Sequence, residues 1–361
     1  MDLSLGCRPA PLGRSRRAWP WAAAALGVLA LSCNEFALVD LMHRANLPQL
    51  AEAADGVLEG RPHWAANQAR LLGPLAVRGV EWLQHAILPQ ESEPHFALRL
   101  FFLIAIGAKN GALFALTALH TRSLRAALAL TLAGSVLFLL FGDGWLFPWD
   151  FFDVAILSGL AFLIQRWEAP EPRSMALFLI LFLLALVNRE SAAFLGLWLI
   201  CMGAARLLLA ERGRLAWGEI AAGTLLIAVT AAYATVVRAW LLVEETGGAH
   251  YQGLRIAGNY LQLGPNLYAI AENLLTPRLY IDAWIALLLL YGAALAAWGL
   301  KEASPRRLAQ GLLALGLLAA VLCFGIINEA RVFLIFVPFL VFSLAEYGTA
   351  MARRLRDGRA G

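Results

Sequence analysis

Four short polar clusters interrupt an otherwise apolar chain, and their residue types are those of acid–base and phosphate chemistry. They are Asn34-Glu35 with Asp40 just beyond, Trp149-Asp150-Phe151-Phe152-Asp153, Asn188-Arg189-Glu190-Ser191, and Asn328-Glu329-Ala330-Arg331. A carboxylate at Asp40, Asp150 or Asp153 can take a proton from an acceptor hydroxyl. A guanidinium at Arg189 or Arg331 presents a rigid fork that holds phosphate oxygens and stabilises a phosphate leaving group. Arg70 and Arg255 offer the same chemistry from two loop segments.

Each residue also has a structural alternative. Asp150 can cap a helix, and Asp40 can end one beside His43 and Arg44. Glu35, a weaker candidate, can pair inside a bundle. Each arginine can pair locally, Arg189 with Glu190 and Arg331 with Glu329, but adjacent residues on a helix do not face each other, so that needs turn geometry and pairing of the two polar tips is more natural crosswise. That predicts Glu190 with Arg331 and Glu329 with Arg189, with Asn188 in support. Lys109-Asn110 falls in the middle of a long apolar run, where an ammonium needs a partner or a proton path.

The elements that must position these groups are membrane spans. Apolar residues make up 60% of the chain, charged residues 15%, and mean hydropathy is +0.67. A soluble domain is closer to half apolar and a quarter charged, so the expected class is an all-α polytopic membrane protein. At roughly 20 residues per crossing, about ten spans are expected, near 18–40, 96–119, 126–142, 151–165, 174–188, 191–209, 218–243, 281–300, 307–327 and 332–350. Arginines crowd every second gap: Arg14 to Arg17, Arg122 and Arg125, Arg166 and Arg173, Arg206 to Arg214, Arg306 and Arg307, then Arg353 to Arg359. Cytoplasmic loops collect such residues, so both termini are expected inside and the polar clusters at the outer face.

The stretch Met175–Ala210 tests the count. As one helix it would run roughly 54 Å, far more than one crossing, so it must turn back at Asn188–Ser191. Leu308–Tyr347 repeats the pattern around Asn328–Arg331. Arg14–Arg17 before Ala18–Ser32 has the layout of a signal peptide, but the apolar stretch resumes at Phe36, and an uncleaved first span is expected.

The whole chain, 1–361, reads as one integral membrane domain with cytoplasmic tails 1–17 and 351–361 and outer loops 41–95 and 244–280. In the first loop, Leu50–Ala54 and Leu71–Leu88 carry apolar residues at near-helical spacing and are expected to lie as amphipathic helices along the interface. The second loop is polar and aromatic, broken by glycines. Four scattered cysteines predict neither a disulfide framework nor a metal motif, and the six histidines show no metal-ligand spacing. No phosphate-cradling glycine loop or nucleophile elbow occurs. No metal is expected, and the residues name no cofactor. Membrane lipid is the expected partner, and nucleic acid is not.

Pro148-Trp149-Asp150, Asn188-Arg189-Glu190-Ser191 with Phe194-Leu195, and Glu329-Ala330-Arg331-Val332-Phe333 with Pro338 resemble a set of bacterial multi-span proteins that carry such stretches in this order. The layout of those proteins resembles the GT-C class of membrane glycosyltransferases. The resemblance implies transfer of a sugar from a polyprenyl-phosphate carrier to an acceptor at the outer face of the bacterial inner membrane. Asp40 matches the position of the GT-C catalytic aspartate. The chain departs in having Ser191 where the set has Thr, and in lacking the paired acidic residues of the first GT-C outer loop. Two other functions remain open: a transporter or flippase of a polar or lipid-linked substrate lined by Lys109, and a non-catalytic component of envelope polysaccharide assembly. An outer vestibule reached by Asp40, Arg189 and Arg331 would favour the transferase. A midplane cavity around Lys109 would favour transport.

Overall fold

The computed structural model describes residues 14–62, 65–87, 95–142, 145–167, 171–211, 213–244, 255–256, 259–275, 279–327 and 329–357. Asn328, counted in the fourth polar cluster, lies outside them. In chain order the helices are α1 (Arg14–His43), α2 (Leu47–Leu58), α3 (Leu72–Ile87), α4 (Phe96–Thr121), α5 (Leu124–Phe141), α6 (Pro148–Ile164), α7 (Pro172–Asn188), α8 (Ala192–Leu208) and α9 (Arg214–Leu241). They continue with α10 (Leu263–Leu275), α11 (Leu279–Lys301), α12 (Pro305–Phe324) and α13 (Val337–Asp357). Two 3-10 turns, Ala65–Ala69 and Ala330–Phe336, precede α3 and α13, and a two-residue β-ladder pairs Arg255 with Tyr260.

Among the described residues, seven helices are long and apolar enough to cross a membrane: α1, α4, α5, α9, α11, α12 and the segment Ala330–Gly348. This is the build of a multi-pass membrane protein. Helices α6, α7 and α8 have 17 residues each, so each is about 25 Å long. The turn expected at Asn188–Ser191 is present, because α7 ends at Asn188 and α8 begins at Ala192.

Helix α6 is the centre of the bundle. All of its residues are buried except Phe152 and Ala155. Around it Phe101, Phe102, Phe138 and Phe151 interlock at ring distances of 5.2–6.4 Å. The peripheral helices turn apolar faces outward: Leu179, Ile180 and Leu183 on α7, Leu225 and Trp240 on α9, and Leu287 and Leu290 on α11. Lipid is as apolar as leucine, so helix pairs in a membrane are held by close packing rather than by water exclusion. Small residues make that possible here. A Cβ on Gly203 would sit 2.4 Å from Ala216 O across the α8–α9 contact, and one on Gly311 would sit 2.3 Å from Ala296 N across α11–α12.

The two ends of the bundle differ in chemistry. At one end Arg166 donates to Leu119 O, Arg306 donates to Gln165 O, Arg307 pairs with Glu346 at 3.3 Å, and Arg206 pairs with Glu211 and Glu219 at 3.0 Å. The opposite end carries α2, α3, the α7–α8 turn and the turn before α13. There the helix ends are clasped to one another. Val243 N–H donates to Gly60 O at 2.7 Å, which joins the ends of α2 and α9, and Leu71 N–H donates to Val187 O at 2.9 Å. Gly60 has φ +76°, and a Cβ there would meet Leu241 O at 2.0 Å, so only glycine fits this clasp.

Helices α2 and α3 each bury one face. Leu47, Leu50, Ala54 and Val57 of α2 and Gly73, Pro74 and Val77 of α3 point inward, while Leu75, Trp82 and Ile87 are exposed. The interior of the second loop is described at 255–256 and 259–275. It holds the β-ladder and α10, which is anchored by Asn266: its side-chain amide donates to Leu322 O and Gly325 O at the end of α12.

Candidate functional site

The site is built on the first turn of α6. Pro148 occupies the helix start, where its missing N–H costs nothing. Asp150 Oδ2 accepts the Phe147 N–H at 2.9 Å, the predicted cap. The cap uses only one carboxylate oxygen. Oδ1 accepts from Arg189 at 2.9 Å, and Arg331 lies 3.7 Å from Oδ2.

Asp153, one turn further and 2% exposed, is fully occupied too. Its Oδ1 accepts from Asn188 at 2.9 Å and Ser191 at 2.6 Å, and its Oδ2 from Arg189 at 3.3 Å. Asn188 also donates to Trp149 O at 3.0 Å. The α7–α8 turn is therefore stitched to α6 by every one of its polar side chains except Glu190. That residue turns instead to Arg70, 3.3 Å away.

Aromatic rings complete the network. Phe147 and Trp149 stack with centroids 4.7 Å apart and planes 7° from parallel. Arg331 lies over Phe147, its Cζ 4.7 Å from the centroid, and Arg70 lies over Trp149 at 5.3 Å. No room exists between the rings, so the order is Arg331, Phe147, Trp149, Arg70: two cations on the outer faces of a ring pair. The close approach of α3 depends on Gly73, where a Cβ would meet Trp149 N at 2.7 Å.

Crosswise pairing of the two polar tips is not what the structure shows. Glu190 pairs with Arg70, Arg189 with Asp150 and Asp153, and Arg331 with Glu329 at 2.6 Å. The tips meet through Asp150 rather than through each other, because α6 stands between them and brings two carboxylates of its own. Burial lowers the Arg70 pKa to about 10. At Glu190, burial is outweighed by Arg70 and Arg189, which hold the carboxyl below its ordinary value. At Arg189, burial is outweighed by Asp153 and Asp150, and the pKa is raised.

A cavity of about 1170 Å³ opens beside this network. Arg331, Glu329, Phe147 and Trp145 form one wall. Glu52 and Asp55 of α2 with Glu59 at its C-terminal end form another, and Glu81, Gln84 and His85 of α3 and the start of α4 also line it. Of its carboxylates, Asp55 and Glu81 share Arg78, Glu244 takes Arg61, and Glu329 takes Arg331. Glu52 and Glu59 are exposed, and among the described residues no cation pairs with them.

Of the expected reactants among the described residues, only Arg331 and its supporting Glu329 line the cavity. Asp40 is 5% exposed and gripped by Arg99 at 2.6 and 3.0 Å and by Arg44 at 3.2 Å, which ties α1 to α4. Asp40, Asp150 and Asp153 thus have both carboxylate oxygens occupied. Arg255 sits in the β-ladder, and its side chain is outside the described set.

Lys109 is closed off in the bundle interior. Its Nζ lies 2.7 Å from Glu35 and 2.8 Å from Asn110 Oδ1, over the Phe138 ring at 4.4 Å. Asn110 in turn donates to Glu35 and Ser32 and accepts from Ser135, so α1, α4 and α5 share one polar core.

Two sets of residues escaped sequence reasoning. Glu52, Asp55 and Glu59 were legible as an i, i+3, i+7 acidic face opposite Leu50 and Val57. Arg99 carried no signal, since a cation at the start of a span is commonplace. Compared with known proteins, the chain matches no family model, no curated protein and no solved structure.

Proposed function

We propose that this chain is a membrane transferase of the GT-C kind, moving a sugar from a polyprenyl-phosphate carrier to an acceptor within the vestibule. The observation that carries this reading is Arg331 on the wall of the 1170 Å³ cavity, backed by Asp150 and stacked on Phe147. A guanidinium fixed on a ring face is preorganised for the phosphate that becomes the leaving group. The rest of the cavity suits a polyhydroxylated ligand. Carboxylates accept hydrogen bonds from hydroxyls, and Trp145 offers an apolar face.

In this reading the base that takes the acceptor's proton is Glu52 or Glu59, the cavity carboxylates without a cation. Asp150 and Asp153 position Arg189 and Arg331, and Asp40 holds α1 to α4. Transport is the weaker reading, because Lys109 is satisfied by Glu35 and Asn110.

The vestibule is assigned to the outer face of the bacterial inner membrane. The arginine-bearing loops gather at the opposite end, and ten crossings, with α6, α7 and α8 as short ones, return both termini to that side. On a cysteine-free background, an impermeant thiol reagent should label a cysteine at position 59 and not at 301 in intact cells. The activity itself is tested by lipid analysis of a deletion strain complemented with Arg331→Lys. Accumulation of a polyprenyl-phosphate-linked sugar in both the deletion and the variant is expected. An unchanged lipid profile overturns the assignment.

A further inference from the structure

Arg331 and Glu329 are held very differently, although both line the same cavity. The Arg331 side chain is 9% exposed, stacked on Phe147, near Asp150, and anchored by a turn whose next residues Phe333 to Phe336 are buried. Glu329 is 28% exposed and stands at the N-cap of that turn without capping it. Among the described residues, Arg331 alone grips its carboxylate.

The grip is one-sided. Arg331 Nε at 3.0 Å and Nη2 at 2.6 Å both converge on Glu329 Oε2, while Oε1 takes no part. A guanidinium fork normally meets two oxygens with its two parallel N–H groups. A phosphate group offers those two oxygens; Glu329, tethered two residues away, presents one.

We infer that Glu329 is a displaceable stand-in for the ligand's phosphate: its carboxylate neutralises Arg331 in the empty vestibule and swings away when a phosphate monoester or diester docks on the same Nε–Nη2 edge. This rests on Arg331 as the phosphate seat. No bond is made or broken in the exchange. It is a competition between two anions for one fork, so the carboxylate weakens phosphate binding while adding to the partial compensation that Asp150, shared with Arg189, gives the cation. The device also sets specificity, because an uncharged headgroup cannot displace a paired carboxylate.

The test is binding to the full chain in nanodiscs, with inorganic phosphate in one arm and a short isoprenyl monophosphate in the other. Glu329→Gln removes the competing charge and keeps the shape, so it should tighten the dissociation constant by about tenfold. Arg331→Lys should abolish binding with either residue at 329, since an ammonium cannot present the fork. Tightening for both probes, or for the isoprenyl phosphate alone, supports the exchange, and the second pattern places the phosphate on a lipid. Wild type binding as tightly as Glu329→Gln overturns the stand-in and leaves the proposed function in place. Folded variants that all fail to bind either probe, wild type included, overturn the phosphate seat and the stand-in together.

Discussion

Arg189 donates to Asp150 at 2.9 Å, joining the α7–α8 turn to the first turn of α6. The two side chains are 22% and 1% exposed, so this is a partly buried pair at the point where two turns and a helix start converge. Removing Asp150 leaves Arg189 with Asp153 as its remaining ion-pair partner at 3.3 Å, so the cost falls below the roughly 3–5 kcal/mol of stranding a fully buried charge. Asp150→Asn also loosens Arg331, which sits 3.7 Å away. The expected outcome is a measurable fall in thermal stability of the detergent-purified protein. Asp150→Asn with unchanged melting would mean that Asp153 alone suffices to hold Arg189.

The partner of Glu190 is Arg70, and this makes a charge-swap prediction with a built-in control. Either Glu190→Arg or Arg70→Glu should lower the folded yield by placing like charges about 3.3 Å apart. The double swap Glu190→Arg with Arg70→Glu should recover most of the yield. The double swap of Glu190 with Arg331 should recover none, because those two side chains do not meet. Fluorescence size-exclusion profiles of the four proteins decide it.

Glu190 also predicts an acid limb to the stability curve. Its folded pKa is held below the ordinary carboxylate value by Arg70 and Arg189, against the effect of burial. A depressed carboxylate contributes stability that is present above its unfolded pKa and is lost as pH falls through the folded one. Melting temperature should therefore decline below about pH 4.5, and Glu190→Gln should start lower and decline less steeply over that range. Parallel curves for wild type and variant would place the acid limb elsewhere.

What could be read from the chain, and what could not, divides along a physical line. Apolar run length and arginine spacing located the helices and the α7–α8 turn, because both are local properties of sequence. The described residues of three polar clusters came together at one end, around the first turn of α6. In the first cluster, by contrast, Glu35 lies in the bundle interior with Lys109, and Asp40 pairs with Arg99 and Arg44. Their pairing was not legible. Glu190 meets Arg70 and Asp40 meets Arg99 across elements distant in sequence, and the order of helices around α6 is a tertiary fact that periodicity does not encode. The expected crosswise pairing of the tips failed for this reason: it treated two turns as neighbours without the helix between them. The acidic face of α2 was encoded locally, but it reads as an ordinary solvated face until the cavity beside it is known.

The buried Lys109–Glu35 pair gives the last prediction, and it separates the structural from the transport role. Both side chains are 1% exposed and 2.7 Å apart, and Asn110 bridges them to Ser32 and Ser135. Lys109→Met alone strands the Glu35 carboxylate in the bundle interior and should remove most folded protein, at roughly 3–5 kcal/mol. Replacing the pair together, Lys109→Met with Glu35→Met, removes both charges and should restore much of the yield, since buried ion pairs are often replaced by apolar residues at little cost. If the pair serves only to hold α1 against α4, the double variant should also complement a deletion strain. Restored protein without restored complementation would show that the charge at Lys109 is used in the working cycle, and the transport reading would then take precedence over the transferase.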